Sequence, residues 1–130
     1  MGKEGPGAVV LDAGALIAFE RGSARMRALC REALRTRTRL LVPAGVLGQV
    51  LRDRARQVSL GALLAGSTTE VPALDRILAE AAGILCGRTS TSDVIDASVV
   101  LIGLREHAVV VTSDAKDLRR LDPTLKIEHI

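Results

Sequence analysis

The chain reads as an α/β protein, a three-layer α/β/α domain built around a central, mainly parallel sheet of about five short strands. Three observations predict this. Short apolar runs such as Ala8-Val9-Val10-Leu11 and Ala108-Val109-Val110-Val111 carry no polar alternation, as expected of strands covered on both faces. They alternate with helical patterns across short connections, which implies parallel βαβ units. At 130 residues, 48% hydrophobic and 25% charged, the length suits one domain only. The Gly/Pro-rich residues 1–7 are set apart as a flexible segment, and residues 8–130 form the domain.

Each element has its own signal. Ala8 to Asp12 is the first strand, followed by a short helix near Ala15 to Glu20. Ser23 fits an N-cap for a helix to about Arg37. Leu40-Leu41-Val42 is a second strand, ended by Pro43. Helices then cover Ala44 to Arg54 and Gln57 to Leu64, and Thr69-Glu70-Val71 is a short third strand before Pro72. Ala73 to Cys86 forms a helix with Leu74, Ile77, Leu78, Ala81 and Leu85 on one stripe, ended by Gly87. Thr91 or Ser92 caps the next helix, from Asp93 to about Glu106. Val109 to Thr112 is the fourth strand, Ala115 to Leu121 a helix and Lys126 to His129 a closing strand. No internal repeat or low-complexity segment interrupts the pattern.

Composition excludes several classes of function. With one Phe and neither Trp nor Tyr, the core is aliphatic, and binding of bases by aromatic stacking is nearly excluded. Cys30 and Cys86 lie in helices without Cys or His at ligand spacing, which predicts buried free thiols rather than a zinc site. No apolar stretch approaches the roughly 18 residues that span a bilayer, and residues 1–6 lack a signal-peptide core. A cytoplasmic protein is expected.

The net charge of +3 conceals an asymmetry. Residues 21 to 56 hold ten Arg against Glu32 and Asp53, a balance of +8, whereas the remainder holds eight basic and thirteen acidic residues, a balance of −5. A charge run of this kind usually solvates a helix face. Beside a carboxylate cluster it also suits a phosphate backbone, and Arg21 and Arg25 are the candidate contacts.

The acidic residues define the candidate site. Asp12 and Asp114 stand where strands stop, and in parallel sheets ligands bind beyond the carboxyl ends of the strands. Asp96 lies inside Val94-Ile95-Asp96-Ala97-Ser98-Val99-Val100, where an unpaired buried carboxylate is costly. Its compensation is either an Arg partner or a cation shared with Asp12 and Asp114. Three such charges about 5 Å apart, at an effective dielectric near 20, repel by roughly 3 kcal/mol per pair, so the cluster favours a cation. Asp93 and Asp117, three residues from Asp96 and Asp114, can join them or simply stabilise helix starts. Asp12 alone is equally explained as a helix cap.

Val9-Val10-Leu11-Asp12-Ala13-Gly14-Ala15-Leu16-Ile17-Ala18-Phe19, Val42-Pro43-Ala44-Gly45-Val46-Leu47, Asp96-Ala97-Ser98-Val99-Val100 and Thr112-Ser113-Asp114-Ala115-Lys116-Asp117-Leu118, in this order, resemble the PIN domains, and within them the VapC-type toxins of bacterial toxin–antitoxin pairs. The resemblance reaches from the first strand to the last helix. It implies a PIN-like fold and a Mg²⁺- or Mn²⁺-dependent ribonuclease. It also implies an RNA substrate, inhibition by a cognate antitoxin inserted in or beside the active-site groove, and a homodimer. It places Asp12, Asp96 and Asp114 as the catalytic metal-binding acids, Asp93 and Asp117 as auxiliary acids, and Thr112 as the hydroxyl residue near the last strand end.

One position departs from the pattern. The family's second acid aligns with Gln49, which offers a carbonyl oxygen or a hydrogen bond to water but no charge and no base. Weaker metal affinity follows. Two rivals come from other classes. A non-catalytic PIN-like module that binds RNA or protein is the serious one, because Gln49 suggests a degraded site. A phosphoacceptor signalling domain would need a Lys at a later strand end, and Lys116 is misplaced for it. His107, at a helix exit, and His129 have no partner in sequence and take no catalytic role. The helices Ala44 to Leu51 and Val58 to Leu64 carry enough aliphatic surface for an antitoxin groove, although ordinary core packing explains them as well.

Overall fold

The computed structural model describes residues 7–130, so the segment set apart as residues 1–7 lies outside the described residues except for Gly7. Five strands and seven helices alternate: β1 Ala8–Leu11, α1 Ala13–Glu20, α2 Ala24–Arg35, β2 Arg39–Leu41, α3 Ala44–Val50, α4 Val58–Leu64, β3 Thr69–Glu70, α5 Arg76–Thr89, α6 Val94–Arg105, β4 Val109–Thr112, α7 Ala115–Leu121 and β5 Ile127–His129. The sheet order is β3-β2-β1-β4-β5, and every pairing is parallel.

This order determines where a ligand can bind. From β1 the chain steps outward to β2 and β3, then returns through α5 and α6 to β4, on the other side of β1. With right-handed crossovers the helices of the two halves lie on opposite faces. Accordingly α1 packs on α2 and α4, whereas α6 packs on α5 and α7, with α3 touching both α1 and α6. The strand order reverses between β1 and β4, which opens a crevice beyond their carboxyl ends. Val9, Val10 and Leu11 are in register with Val109, Val110 and Val111, so the residues that follow the two strands emerge side by side.

The apolar runs form the core as their composition requires. Val10, Leu11, Leu41, Val42, Val110 and Val111 are buried, with Leu16, Leu60, Ile102 and Leu118 closing over them from the helices. Cys30 and Cys86 are buried and unpaired, as expected. At the opposite end of the sheet Arg39 bridges Glu70 at 2.8 Å and Glu106 at 3.0 Å, which ties β2 to β3 and to the end of α6.

Several boundaries differ from the sequence reading, each for a local reason. α3 ends at Val50 rather than Arg54, because Gln57 Oε1 accepts from the backbone N–H groups of Arg52 and Asp53 at 2.7 and 2.9 Å and turns the chain. α5 begins at Arg76, where Asp75 caps it by accepting from Leu78 N–H at 2.9 Å. Gly87 does not end α5; the helix runs on to Thr89 and stops at Ser90, in the left-handed region with φ 55°. Its buried stripe is Leu78, Ala82 and Cys86, whereas Ile77 is 81% exposed. α6 is capped by Asp93 itself, not by Thr91 or Ser92.

Candidate metal centre

Asp12 follows β1 and is buried at 7% exposure. Its Oδ1 accepts from Ala15 N–H at 2.9 Å, so the capping role and a site role coincide: one such bond uses only a fraction of a carboxylate's lone pairs. Burial pushes its carboxyl above the ordinary range, opposed by hydrogen bonds from Thr112, Ala15 and Gly14. Thr112 is fully buried. Its Oγ1 accepts from Asp114 N–H at 2.8 Å and lies near enough to Asp12 to favour that carboxylate's charged form. Gly14 makes the approach possible, because a Cβ there would lie 2.1 Å from Ser113 Oγ.

The remaining acids come from two helix starts. Asp93 caps α6 by accepting from Asp96 N–H at 2.9 Å, which presents Asp96 in the first turn. Asp114 stands at the N-cap of α7 without making a side-chain cap bond. Asp117 follows in the first turn of the same helix.

All five carboxylates share one electrostatic environment. Asp96 is pushed up to about 6 by its burial first and then by Asp93, Asp12, Asp114 and Asp117. Asp114 is raised by partial burial, by a hydrogen-bonding carboxyl of Asp117 and by the charges of Asp117, Asp12 and Asp93. An Arg partner for Asp96 is not found. Among the described residues, ion pairs engage Glu32, Asp53, Glu70, Glu80, Glu106 and Glu128, and none of the five site acids.

The donor set fits a hard divalent cation. It is entirely oxygen and negatively charged, and among the described residues none of its acids makes an ion pair, although Arg120 lines the same pocket as three of them. Among the described residues no group of three or more His, Cys, Asp or Glu side chains is placed so that it could hold a metal ion by itself. An open arrangement still suits Mg²⁺, which retains several waters and binds proteins through one or two carboxylates.

Gln49 is exposed on α3. It stands four residues from Gly45, whose missing Cβ admits the Ile95 side chain, so it shares the helix face turned toward α6. Arg21 is exposed at the end of α1, and Arg25 is held by Glu128 at 3.3 Å. His129 Nε2 contacts the Ser113 carbonyl at 3.2 Å, while His107 is exposed and has φ 51°. Between α2 and α4 lies an apolar recess of about 420 Å³ lined by Phe19, Cys30, Leu34 and Leu63 among others.

Sequence reasoning missed Arg120 and the hydroxyl-bearing loop before α6. A pocket of about 310 Å³ brings Ser90, Thr91 and Ser92 together with Asp93, Asp96, Asp117 and Arg120. The available signal was the three-residue step from Asp117 to Arg120, one helical turn within an acidic motif.

No protein-family model and no curated protein matches the chain in sequence. Solved structures do match in three dimensions. A chain in the structure of VapBC2 from Rickettsia felis, bound to a DNA fragment from their promoter, is 15% identical with a TM-score of 0.72, over 95% of this chain and 98% of that one. A chain of VapBC-1 from nontypeable Haemophilus influenzae is 13% identical at TM-score 0.67, covering 94% and 97%. A chain of FitAB bound to an IR36 DNA fragment is 12% identical at TM-score 0.63, covering 93% and 94%. At these identities the likeness is one of architecture, and the chain accordingly has a PIN-like α/β/α fold.

Proposed function

We propose that the protein is a divalent-metal-dependent ribonuclease, a PIN-domain toxin that hydrolyses RNA phosphodiester bonds and is held in check by a cognate antitoxin. One observation carries this reading: at the strand-order reversal the charges of Asp12, Asp93, Asp114 and Asp117, from three chain segments, all reach Asp96, and among the described residues none of the five makes an ion pair. Asp12, Asp96 and Asp114 would hold Mg²⁺ or Mn²⁺, with Asp93 and Asp117 beside them. When bound, the cation would stabilise charge on the phosphate oxygens and make water more acidic. Thr112 holds the backbone of Asp114 through one hydrogen bond and favours the charged form of Asp12 beside it. Whichever of Asp96 and Asp114 is less engaged by the cation serves as proton acceptor for the attacking water.

The partners follow from the same reading. The architectural matches are VapBC and FitAB structures, which supports a cognate antitoxin. A homodimer is supported by the exposed apolar residues Ile77 and Ile84 on α5. Two buried, unpaired thiols suit a reducing compartment, and the cytoplasm is the proposed location. No helix of the described residues is long and apolar enough to cross a membrane.

The test is incubation of the purified protein with total RNA, with and without Mg²⁺, beside Asp96→Asn, followed by sequencing of the new ends. Cleavage that needs the metal and is lost in the variant supports the proposal. A second reading, a non-catalytic RNA- or protein-binding module, draws on the uncharged Gln49 and the open ligand set. Metal-independent behaviour, unchanged by Asp12→Asn, would favour it.

A further inference from the structure

We infer that the outer face of α7, rather than the Arg-rich helix α2, carries the RNA strand into the acidic pocket, and that Arg120 positions the phosphate adjacent to the one cleaved. This rests on the ribonuclease reading. Lys116, Arg119 and Arg120 occupy positions i, i+3 and i+4 of α7 and so share one helix face. Together with His129 they line an open recess of about 600 Å³. Arg120 also lines the pocket that holds Asp93, Asp96 and Asp117. It therefore belongs to both cavities and is the one lining residue they share.

Position at the acidic pocket separates this face from the other free cations: among the described residues Arg21, Arg31 and Arg37 also make no ion pair, but they line neither of these two recesses. On α2 and nearby, Arg25 is occupied by Glu128, Arg35 by Glu32, and Arg39 by Glu70 and Glu106, while Arg27 lies 4.9 Å over the Phe19 ring. Among the described residues Lys116, Arg119 and Arg120 make no ion pair, although Arg120 shares its pocket with three carboxylates. An unneutralised basic face can release the counterions of a polyanion, whereas an Arg already paired gains little. The acids repel a phosphate backbone in the absence of metal, so a neighbouring cation that holds the strand is what the site requires. One turn of α7, roughly 5.4 Å, separates the two ends of the basic row. The strand would lie along that row, with its flanking ribose beside the hydroxyls of the Ser90–Ser92 loop.

The experiment measures binding without cleavage. A fluorescein-labelled single-stranded oligoribonucleotide of mixed sequence is titrated with the full chain in EDTA, by anisotropy, over a series of KCl concentrations. Wild type is compared with Arg120→Ala, with Lys116→Ala/Arg119→Ala and with Arg25→Ala, each checked for an unchanged circular-dichroism melt. The slope of log affinity against log salt is expected to fall by about 0.7 for Arg120→Ala and about 1.4 for the double variant, with Arg25→Ala unchanged. Unchanged slopes in the α7 variants, a loss confined to Arg25→Ala, or no binding by wild type would each overturn the inference. Metal-dependent cleavage of RNA is scored separately. If cleavage persists while the α7 variants bind normally, only the assignment of α7 fails. If cleavage is absent while the slopes fall as stated, the basic track stands and the nuclease reading fails.

Discussion

Thr112 places one buried hydroxyl at the end of β4, where it accepts from Asp114 N–H. Replacing it by Val keeps the shape but leaves the Asp114 N–H without that partner. Urea unfolding should register a loss of about 1–3 kcal/mol; a change below about 0.5 kcal/mol would show that the bond contributes nothing. Gln49→Glu adds a charge on the face of α3 turned toward α6, and the second-acid position predicts that it reaches the ion. Even with full water screening, a divalent ion about 5 Å from one more carboxylate gains roughly 1–2 kcal/mol, so calorimetric titration should show Mg²⁺ bound about tenfold tighter. Unchanged or weaker binding would remove Gln49 from the site. Asp96 gives a pH dependence. Its folded pKa, about 6, lies above its ordinary 3.8, so the native state binds the extra proton and metal-free stability should rise as pH falls from about 7 toward 5. Because Asp96 is only half-buried, the gain is on the order of 1 kcal/mol. Below about 4.5 the trend reverses as Glu70 and Glu106, both held low by Arg39, lose their charge. Thermal melts of wild type and Asp96→Asn across this window check the sign, since the variant should show a smaller rise, Asp12 and Asp114 being raised as well; an equal rise would contradict the role given to Asp96. Asp12, Asp96, Asp114 and Thr112 were legible in sequence because an acid or hydroxyl at the end of an apolar run has few places to go. Arg120 was not, since a basic residue on an exposed helix acquires meaning only from what another element sets beside it.

Among the elements, types were readable and boundaries were not. β4 and α7 fall where their patterns placed them, since both are short, apolar on the core side and bounded by caps. α5 shows the opposite. Gly87 looks like a terminator, yet Gly83 and Gly87 are both inside the helix, and a Cβ at either meets nothing within 4 Å. Gly83→Ala and Gly87→Ala should therefore each stabilise the protein by about 1 kcal/mol through helix propensity. Gly45→Ala should gain less than either, because its Cβ would lie 2.4 Å from Ile95 Cδ1 and oblige that side chain to change rotamer. Denaturant midpoints decide the matter; destabilisation by Gly87→Ala would contradict the continuous helix. The end of α3 was hidden for another reason. Gln57 supplies the turn with side-chain bonds from several residues away, a contact that no periodicity reports.

For the molecule as a whole, the parallel sheet and its layers followed from strand–helix alternation, and the site's location followed from the strand order. The order itself was not legible: nothing in the apolar runs says that β4 rather than β3 lies beside β1. That adjacency brings Asp12 next to Asp114 and admits Asp96 from α6. The charge asymmetry was legible as a tally; which of its cations are committed was not, since Arg25 and Arg39 of the basic half meet carboxylates that only the fold brings near. The central claim is that these separate acids act together on one divalent ion. Mn²⁺ titration followed by the electron paramagnetic resonance signal of the free ion tests it most directly. A saturable site near neutral pH, weakened at least tenfold in Asp96→Asn and in Asp12→Asn, is the predicted result; no saturable binding, or equal binding in all three proteins, would contradict it.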